Sequence, residues 1–376
     1  MQEKTNQDRI PEMDILKGIA IVLVVVGHTK VPGNSFIYLF HMAVFFIASG
    51  YFYSDKSSES LKAVWKFTKK KIRSLWLPFS IGISVFTILN NFFIRVGILT
   101  NNTGIYDYVP QQYGSIHPLL SVWEMLKNIL KTFAFSGSAQ LAGTFWFFKT
   151  LFLVSIMYCI IDLCLKSFCG RFMKVNANGY WLQILISMML LALGYALAVH
   201  DKKLVGMTRA FLVYCLYCGG HLLRKTQRIK LNVTGMMAIG GLTVLCLCNK
   251  IGTIALDKLE IYNPIFYLCC SFSGMCFLYG VSRFINAYLN KIGGGLAYIG
   301  KHSMAIMIGH FLCFKLVSYG LIAVWKIPYF CASAFPVLTD TGIWWIIYTL
   351  VGVGIPLVAQ YIWKKFKYSV LKIVGR

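Results

Sequence analysis

His28 lies near the end of an apolar run that follows Asp14 and Lys17. An imidazole inside hydrocarbon is costly and needs a polar partner or a water-filled cavity, so a histidine in such a run is a candidate for chemistry within a membrane. On a helix, Asp14, Lys17 and His28 share one stripe, and Lys17 and His28 are separated by about 16 Å. The alternative interpretation is an interfacial Asp14 and Lys17 pair that reaches water, with His28 as a capped residue at a helix end.

His41 stands at the start of the next apolar run, after a short turn at residues 32–35. A turn of this length predicts an antiparallel hairpin. His41 then enters the second helix about as far from the turn as His28 leaves the first. Two histidines at one depth favour a shared site, although a packing role for His41 remains an equal alternative.

The composition predicts an all-α integral membrane protein with one domain, residues 1–376. Hydrophobic residues make up 57% of the chain and charged residues 13%, and the mean hydropathy is +0.65. A membrane-spanning helix needs about 20 predominantly apolar residues. We therefore expect about ten transmembrane helices, at 15–31, 36–53, 75–96, 144–165, 180–199, 207–223, 232–249, 263–282, 302–324 and 341–363.

The net charge of +24 indicates orientation rather than a nucleic-acid partner. Most lysines and arginines fall in the segments that share a side with the N-terminus, which is the bias of cytoplasmic loops. The sequence thus predicts a multi-pass protein of the cytoplasmic (inner) membrane with both termini in the cytoplasm. The cytoplasmic tail covers about 1–13, and the longest outer connection about 97–142.

The sequence predicts no resident cofactor, no metal ion and no disulfide. Most of the twelve cysteines fall inside apolar runs, where a thiol behaves as a small apolar side chain. Cys215 and Cys218 have redox or metal spacing but no second pair nearby. A zinc ion held by His28, His41 and His310 is conceivable, yet no His-Glu-x-x-His motif supports it.

Five groups of residues, taken in this order, resemble acyltransferase family 3, and most closely its fucose 4-O-acetylase-like branch. The similarity is strongest over residues 12–80. The motifs are Asp14-x-x-Lys17-Gly18, Gly27-His28, Phe40-His41-Met42 continuing to Ser49-Gly50-Tyr51, Lys70-Lys71-Ile72-Arg73 before Leu77-Pro78-Phe79, and Gly300-Lys301-His302-Ser303 followed by His310.

The resemblance implies a membrane enzyme that moves an acetyl group from acetyl-CoA to a hydroxyl of a carbohydrate or glycolipid of the cell envelope. It assigns the catalytic histidine to His28. Lys17, Lys70 and Arg73 match basic positions of the family, and we expect their charges to bind the phosphates of the acyl-CoA. Lysine replaces the arginine of many relatives at position 17, and the register at position 70 leaves Lys69 and Lys71 as alternatives.

We expect His28 to act as a general base on the sugar hydroxyl, with an acyl-histidine intermediate as the competing route. His41 would position the acceptor or orient His28. In supporting roles, Asp14 would hold Lys17, and His310 would face the interior of the bundle together with Lys315. The candidates on the acceptor side are Tyr113, Trp146 and Lys149.

Other functions fit the same composition. A glycan transporter or flippase, or a membrane component of polysaccharide export, would also combine many helices with interior charges. The absence of an internal repeat favours the enzyme. An O-succinyltransferase of the same family, a sensor or scaffold with a degenerate acyltransferase fold, and a homodimeric assembly are further alternatives.

Overall fold

Most of the chain that the structure describes is helical. This computed structural model describes residues 10–110, 113–172, 180–202, 204, 206–226 and 235–373, so residues 1–9 of the expected tail lie outside it. Short 3-10 turns occur at Asp55–Ser58, Thr103–Asp107, Gln140–Ala142 and Tyr329–Ser333. A two-stranded antiparallel ribbon pairs β1, Ile254–Ala255, with β2, Glu260–Ile261. The helices are α1 Pro11–His28, α2 Asn34–Tyr38, α3 His41–Tyr51, α4 Leu61–Lys71, α5 Leu77–Ile88, α6 Asn90–Val96, α7 Val122–Phe133, α8 Trp146–Phe172, α9 Tyr180–Val199, α10 Met207–Thr226, α11 Gly235–Cys248, α12 Pro264–Tyr288, α13 Asn290–Lys301, α14 Ser303–Trp325 and α15 Trp344–Ile373.

The structure supports a multi-pass membrane protein. Within the described ranges, six helices are long and apolar enough to cross a membrane, and a seventh span arises if α4 to α6, bent by 53°, counts as one. The three other predicted spans form helices too, but α1 and α10 carry more polar side chains and α11 has only 14 residues. The count of ten spans and the cytoplasmic position of both termini therefore stay predictions.

Helix α1 is the central helix of the bundle, since it packs against α3, α12, α13, α14 and α15. Pro11 occupies its first turn with Glu12 and Asp14, which suits both the missing proline N–H and the helix dipole. Helix α3 runs back beside α1, so His28 and His41 lie at one end of the bundle, and Lys17 and Phe52 lie at the other. We call these the His28 end and the Lys17 end.

Polar side chains close the last turn of α1 and thereby fix the position of His28. The hydroxyl of Thr29 donates to the carbonyl of Val26 at 2.7 Å, and the amide of Asn34 donates to the carbonyl of Gly27 at 2.7 Å. The carbonyl of Val26 also accepts the Thr29 N–H at 3.0 Å, so the two side-chain bonds add partners for carbonyls at a helix end, where an apolar environment offers none. Gly33 makes the turn with a φ of 79°.

A π-helical turn, Ile72–Trp76, joins α4 to α5. It ends where Leu77 donates to the carbonyl of Ile72, just before Pro78. Proline has no N–H to continue the regular ladder, and a local π turn is a common way to accommodate this loss. The turn changes the register between the basic residues of α4 and the apolar α5.

Helices α3 and α10 touch at glycines, and this contact gives the first prediction. A Cβ added at Gly220 would collide with the carbonyl oxygen of Ile47. Backbone atoms cannot move aside as the end of a flexible side chain can. We therefore expect Gly220→Leu to lower the free energy of unfolding by about 1–3 kcal/mol. Thermal unfolding in detergent measures this. Gly240→Leu is the matched control because a Cβ there meets no atom within 4 Å, and an equal stability of the two variants would contradict the prediction.

The predicted outer connection, 97–142, is folded in its described parts, 97–110 and 113–142. It begins at Gly97 with a φ of 81° and contains α7, whose first turn has a capping box between Ser121 and Glu124. The amide of Asn91 donates to the carbonyl of Leu120 at 2.7 Å and its oxygen accepts from the Leu120 N–H at 2.8 Å. The segment is thereby tied to the bundle beside α6.

Candidate functional site

Three histidines from separate helices converge at the His28 end. The rings of His28 and His310 stack with centroids 5.4 Å apart and an interplanar angle of 21°. Phe311 lies against His28 at 4.8 Å, and His41 lines the same cleft as His28. His28 therefore faces other side chains of the bundle, and the hairpin brings both sequence-predicted histidines together. His310 and Lys315 are fully buried.

Backbone contacts assign the tautomer of two of these histidines. Nδ1 of His41 lies 2.8 Å from the carbonyl of Ile37, and Nδ1 of His310 lies 2.8 Å from the carbonyl of Ile306. A carbonyl only accepts, so each Nδ1 carries the proton in the neutral ring and each Nε2 keeps a lone pair. Among the described residues, Nε2 of His310 has no hydrogen-bond partner. It is a buried acceptor beside His28.

A narrow cleft of about 20 Å³ opens next to His28, which is room for about one water molecule. Molecules as large as the expected thioester and sugar would fit beside His28 only if the helices around it moved apart. Trp146, an acceptor-side candidate, does line this cleft. Sequence reasoning missed four other lining residues, for which it offered no signal: Tyr38, Thr144, Leu256 and Asp257.

Arg209 connects the β-ribbon to Trp146. Its Nε donates to the carbonyl of Leu256 and its Nη2 to the carbonyl of Asp257, both at 2.7 Å. The guanidinium lies 4.8 Å from the centre of the Trp146 ring. One arginine thus positions both a wall and an aromatic side chain of the cleft.

The other two acceptor-side candidates do not line the cleft. Lys149 donates to the carbonyl of Phe135 at 2.8 Å and so ties the connection after α7 to α8. The hydroxyl of Tyr113 donates to Asp340 at 2.6 Å, and the Lys30 ammonium lies 4.2 Å from the Tyr113 ring. Both residues hold polypeptide segments together at the His28 end.

Lys315 supports the wall behind His28. Its ammonium is buried and donates to the carbonyls of Ser333 at 3.0 Å and Ala334 at 2.7 Å. Phe335 follows directly and packs on Phe311 with ring centroids 4.6 Å apart. Phe311 in turn contacts His28, so Lys315 acts on the site through this aromatic pair.

At the Lys17 end, Asp14 lies between two ammonium groups. Lys17 is 4.0 Å and Lys301 is 3.9 Å from the Asp14 carboxylate. The Lys17 ammonium also lies 4.4 Å from the centre of the Phe52 ring. The predicted partnership of Asp14 and Lys17 is therefore present, with Lys301 as a third member that the sequence did not indicate.

Lys70 and Arg73 share an open groove of about 680 Å³ on α4, together with Lys62, Trp65, Lys66, Lys69 and Ser74. Lys17 does not line this groove. The neighbouring Lys71 turns instead toward Phe67, with its ammonium 5.1 Å from the ring centre. The register of the basic motif is thereby assigned to Lys70, Arg73 and Lys69 on the open face, with Lys71 on the packed face.

The stripe of α1 between Lys17 and His28 is packed. Ile21 and Val24 lie on it and are fully buried. The separation of about 16 Å expected for eleven helical steps is kept because α1 is continuous from Pro11 to His28. An acyl arm that follows this stripe has to displace neighbouring side chains.

Among the residues that the structure describes, no group of three histidine, cysteine, aspartate or glutamate side chains is arranged to hold a metal ion. The cysteines with described side chains are free thiols, Cys215 and Cys218 included.

Comparison with known proteins gives one match. A family model described as an acyltransferase domain, that of acyltransferase family 3, matches residues 10–361. No curated protein matches the chain. No solved structure matches it either.

Proposed function

The chain belongs to acyltransferase family 3, and from this premise we propose that it is a membrane O-acetyltransferase that uses acetyl-CoA to acetylate a hydroxyl of a cell-envelope carbohydrate. Membership of the family makes the chain a membrane acyltransferase. The acetyl-CoA donor, the carbohydrate acceptor and His28 as the base are what we propose. The protein would reside in the cytoplasmic membrane with ten spans and both termini in the cytoplasm.

The convergence of His28, His41 and His310 supports this proposal most strongly. An acyl transfer to a hydroxyl needs a group that removes the hydroxyl proton, and a positioned imidazole typically contributes about 10²–10⁴ in rate. His28 lines the cleft with His41 and stacks on His310. The stacked ring of His310 lies beside the imidazolium that would form on His28.

The proposed acetyl transfer needs only the thioester, the sugar hydroxyl and His28. The sugar oxygen attacks the thioester carbonyl while His28 takes the hydroxyl proton. The tetrahedral intermediate then expels the CoA sulfur as the carbon–sulfur bond breaks, and the imidazolium returns the proton to that sulfur. The products are the O-acetyl sugar and CoA, and His28 regains its neutral form. In the alternative route, a ring nitrogen of His28 attacks the thioester carbonyl and the CoA thiolate leaves. The sugar hydroxyl then displaces that nitrogen from the acetyl group, and the hydroxyl proton ends on the CoA sulfur.

The donor would approach from the Lys17 end, where positive charge meets the phosphates of CoA. The groove on α4 with Lys70 and Arg73 is large enough, at about 680 Å³, to fall within the range of about 300–1,000 Å³ of small-molecule sites. Lysine and arginine form strong charge-assisted hydrogen bonds with phosphate. Lys17, held by Asp14, would meet the donor nearer to α1.

A charge-removal experiment tests this donor site. We expect Lys70→Ala combined with Arg73→Ala to raise the KM for acetyl-CoA by about tenfold or more, since hydrogen bonds to charged groups contribute about 1.5–3 kcal/mol each. Steady-state kinetics with purified protein measures it. Lys127→Ala with Lys250→Ala removes two exposed positive charges outside the groove. An equal rise in KM for both double variants would refute the assignment.

The function itself is tested with acetyl-CoA labelled in the acetyl group. Purified wild-type protein is incubated with it and with glycan extracted from the native cell envelope, and label on the glycan is counted. We expect label that depends on the protein and is released by mild base, as an O-acetyl ester is. Label that appears on the glycan only when labelled succinyl-CoA is supplied would identify succinyl-CoA as the donor. No label from either donor would favour a transport or scaffold function.

A further inference from the structure

A second cavity, of about 570 Å³, lies at the His28 end beside the cleft. We call it the outer cup and define it by its lining residues, among them Phe86, Asn90, Phe93, His117, Glu124 and Gln140. None of the sequence-predicted site residues lines it. Its volume falls within the range of about 300–1,000 Å³ in which small molecules bind.

Hydrogen bonds within the walls hold the outer cup open. Asn128 donates to the hydroxyl of Thr87 at 2.7 Å and to the carbonyl of Ser138 at 2.9 Å, and its oxygen accepts from the Ser138 N–H at 3.2 Å. The amide of Asn90 donates to the carbonyl of Pro118 at 3.1 Å. These bonds join α5, α6, α7 and the segment before α8, so the shape does not depend on a ligand.

The lining combines aromatic surface with neutral polar groups. Phe86 and Phe93 supply apolar faces, whereas Asn90, His117 and Gln140 supply amide and imidazole groups. The described lining residues include no lysine or arginine, and their one carboxylate, Glu124, is exposed. An anion finds no charged partner here. A sugar ring suits this lining, because its apolar C–H faces can contact the phenylalanine rings and its hydroxyls can both donate and accept hydrogen bonds.

His117 and Gln140 offer hydrogen-bonding groups to a ligand in the outer cup. Burial lowers the pKa of His117, a polar contact with Gln140 opposes that change, and the charge of Lys315 lowers the pKa further. The ring is therefore neutral at pH 7, with one donor and one acceptor nitrogen. Its Nε2 lies 3.1 Å from the hydroxyl of Ser115. The buried side-chain oxygen of Gln140 makes no hydrogen bond of normal geometry with a described residue.

The outer cup and the cleft lie on either side of one short segment. Gln140 lines the cup and Thr144 lines the cleft beside His28. Four residues of extended chain span at most about 14 Å, and this segment includes the 3-10 turn Gln140–Ala142. The linings of the two cavities are therefore no farther apart than this short distance.

We propose that the outer cup binds an uncharged sugar ring of the acceptor glycan, next to the ring whose hydroxyl is acetylated at His28. This inference rests on the proposed function and specifies its acceptor: a neutral oligosaccharide of more than one sugar. His117 and Gln140 bind the hydroxyls of the ring, and Phe86 and Phe93 contact its C–H face.

Kinetics with His117→Phe and Gln140→Leu test the proposal. The acceptor is a short-oligosaccharide fraction from the neutral envelope polysaccharide of the producing cells, de-O-acetylated with mild base. We expect each variant to raise the KM for this acceptor by tenfold or more and to leave the KM for acetyl-CoA unchanged. His117→Gln, which keeps a donor and an acceptor, should restore most of the affinity. His200→Phe, an exposed histidine that does not line the cup, is the matched control.

An unchanged acceptor KM in both variants would overturn the proposal, and so would equal changes in His200→Phe. Saturation-transfer NMR with the same oligosaccharides separates this inference from the proposed function. Should the wild type transfer no acetyl group, magnetisation transfer to the sugar in the wild type and its loss in His117→Phe would still support the cup. No transfer of magnetisation in the wild type, or the same transfer in both proteins, would reject it.

Discussion

Replacing His28 with alanine is expected to lower kcat for acetyl transfer by about 10²–10⁴-fold, which is the usual contribution of a positioned general base. The KM for acetyl-CoA should stay close to that of the wild type, since the basic groups that would bind CoA lie at the other end of α1. The ring packs against His310 and Phe311, so the substitution also removes buried contacts. Thermal unfolding of the purified variant must accompany the kinetics.

His200→Ala is the control for His28→Ala because His200 is exposed at the end of α9. Wild-type activity in His28→Ala, with a folded protein, would remove His28 from the reaction. A second measurement distinguishes the two chemical routes. Incubation with labelled acetyl-CoA without acceptor, followed by rapid denaturation, should leave no label on the protein if His28 is a base. Label that His28→Ala abolishes would establish the acetyl-histidine instead.

Lys315→Met is expected to destabilise the protein by about 2–5 kcal/mol. Lys315 satisfies the carbonyls of Ser333 and Ala334 in a buried position. Methionine keeps most of the side-chain volume but donates no hydrogen bond, and a buried polar group left without a partner costs about 1–3 kcal/mol. The wall formed by Phe335 and Phe311 would loosen as well, so kcat should fall together with the unfolding temperature.

Thermal unfolding in detergent measures the effect of Lys315→Met. Lys326→Met, at the end of the same helix, is the matched control because Lys326 is exposed. The same unfolding temperature for Lys315→Met and the wild type would show that these carbonyls find other partners. A loss of activity with unchanged stability would assign Lys315 a direct part in the reaction, which contradicts a role through Phe335.

The sequence predicts the parts of the site that depend on helix periodicity and on short turns. The stripe of α1 carries Lys17 and His28 at opposite ends, and the four-residue turn is enough to place His41 beside His28. Apolar run length predicts where the helices lie. It does not decide the number of spans, because α1 and α10 carry charged residues that their neighbours in the bundle contact.

Long-range packing could not be derived from the sequence. His310 is 282 positions from His28, and only the docking of α14 on α1 brings the rings together. Arg209 reaches the carbonyls of a ribbon that begins at Ile254, which no local pattern indicates. The sequence favours Tyr113 and Lys149 as acceptor-side residues because Tyr113 is an aromatic residue of the long outer connection and Lys149 follows that connection at the start of the next apolar run. Their actual partners are a carbonyl and a carboxylate in other segments.

The central claim is that a thioester supplied at the Lys17 end reacts at the His28 end. Vesicles containing the reconstituted protein, with labelled acetyl-CoA sealed inside and the oligosaccharide acceptor outside, test this directly for molecules whose Lys17 end faces inward. We predict acetylated sugar outside and free CoA inside, both absent with His28→Ala. Acetylation that occurs only when donor and acceptor share one side of the membrane would contradict the account.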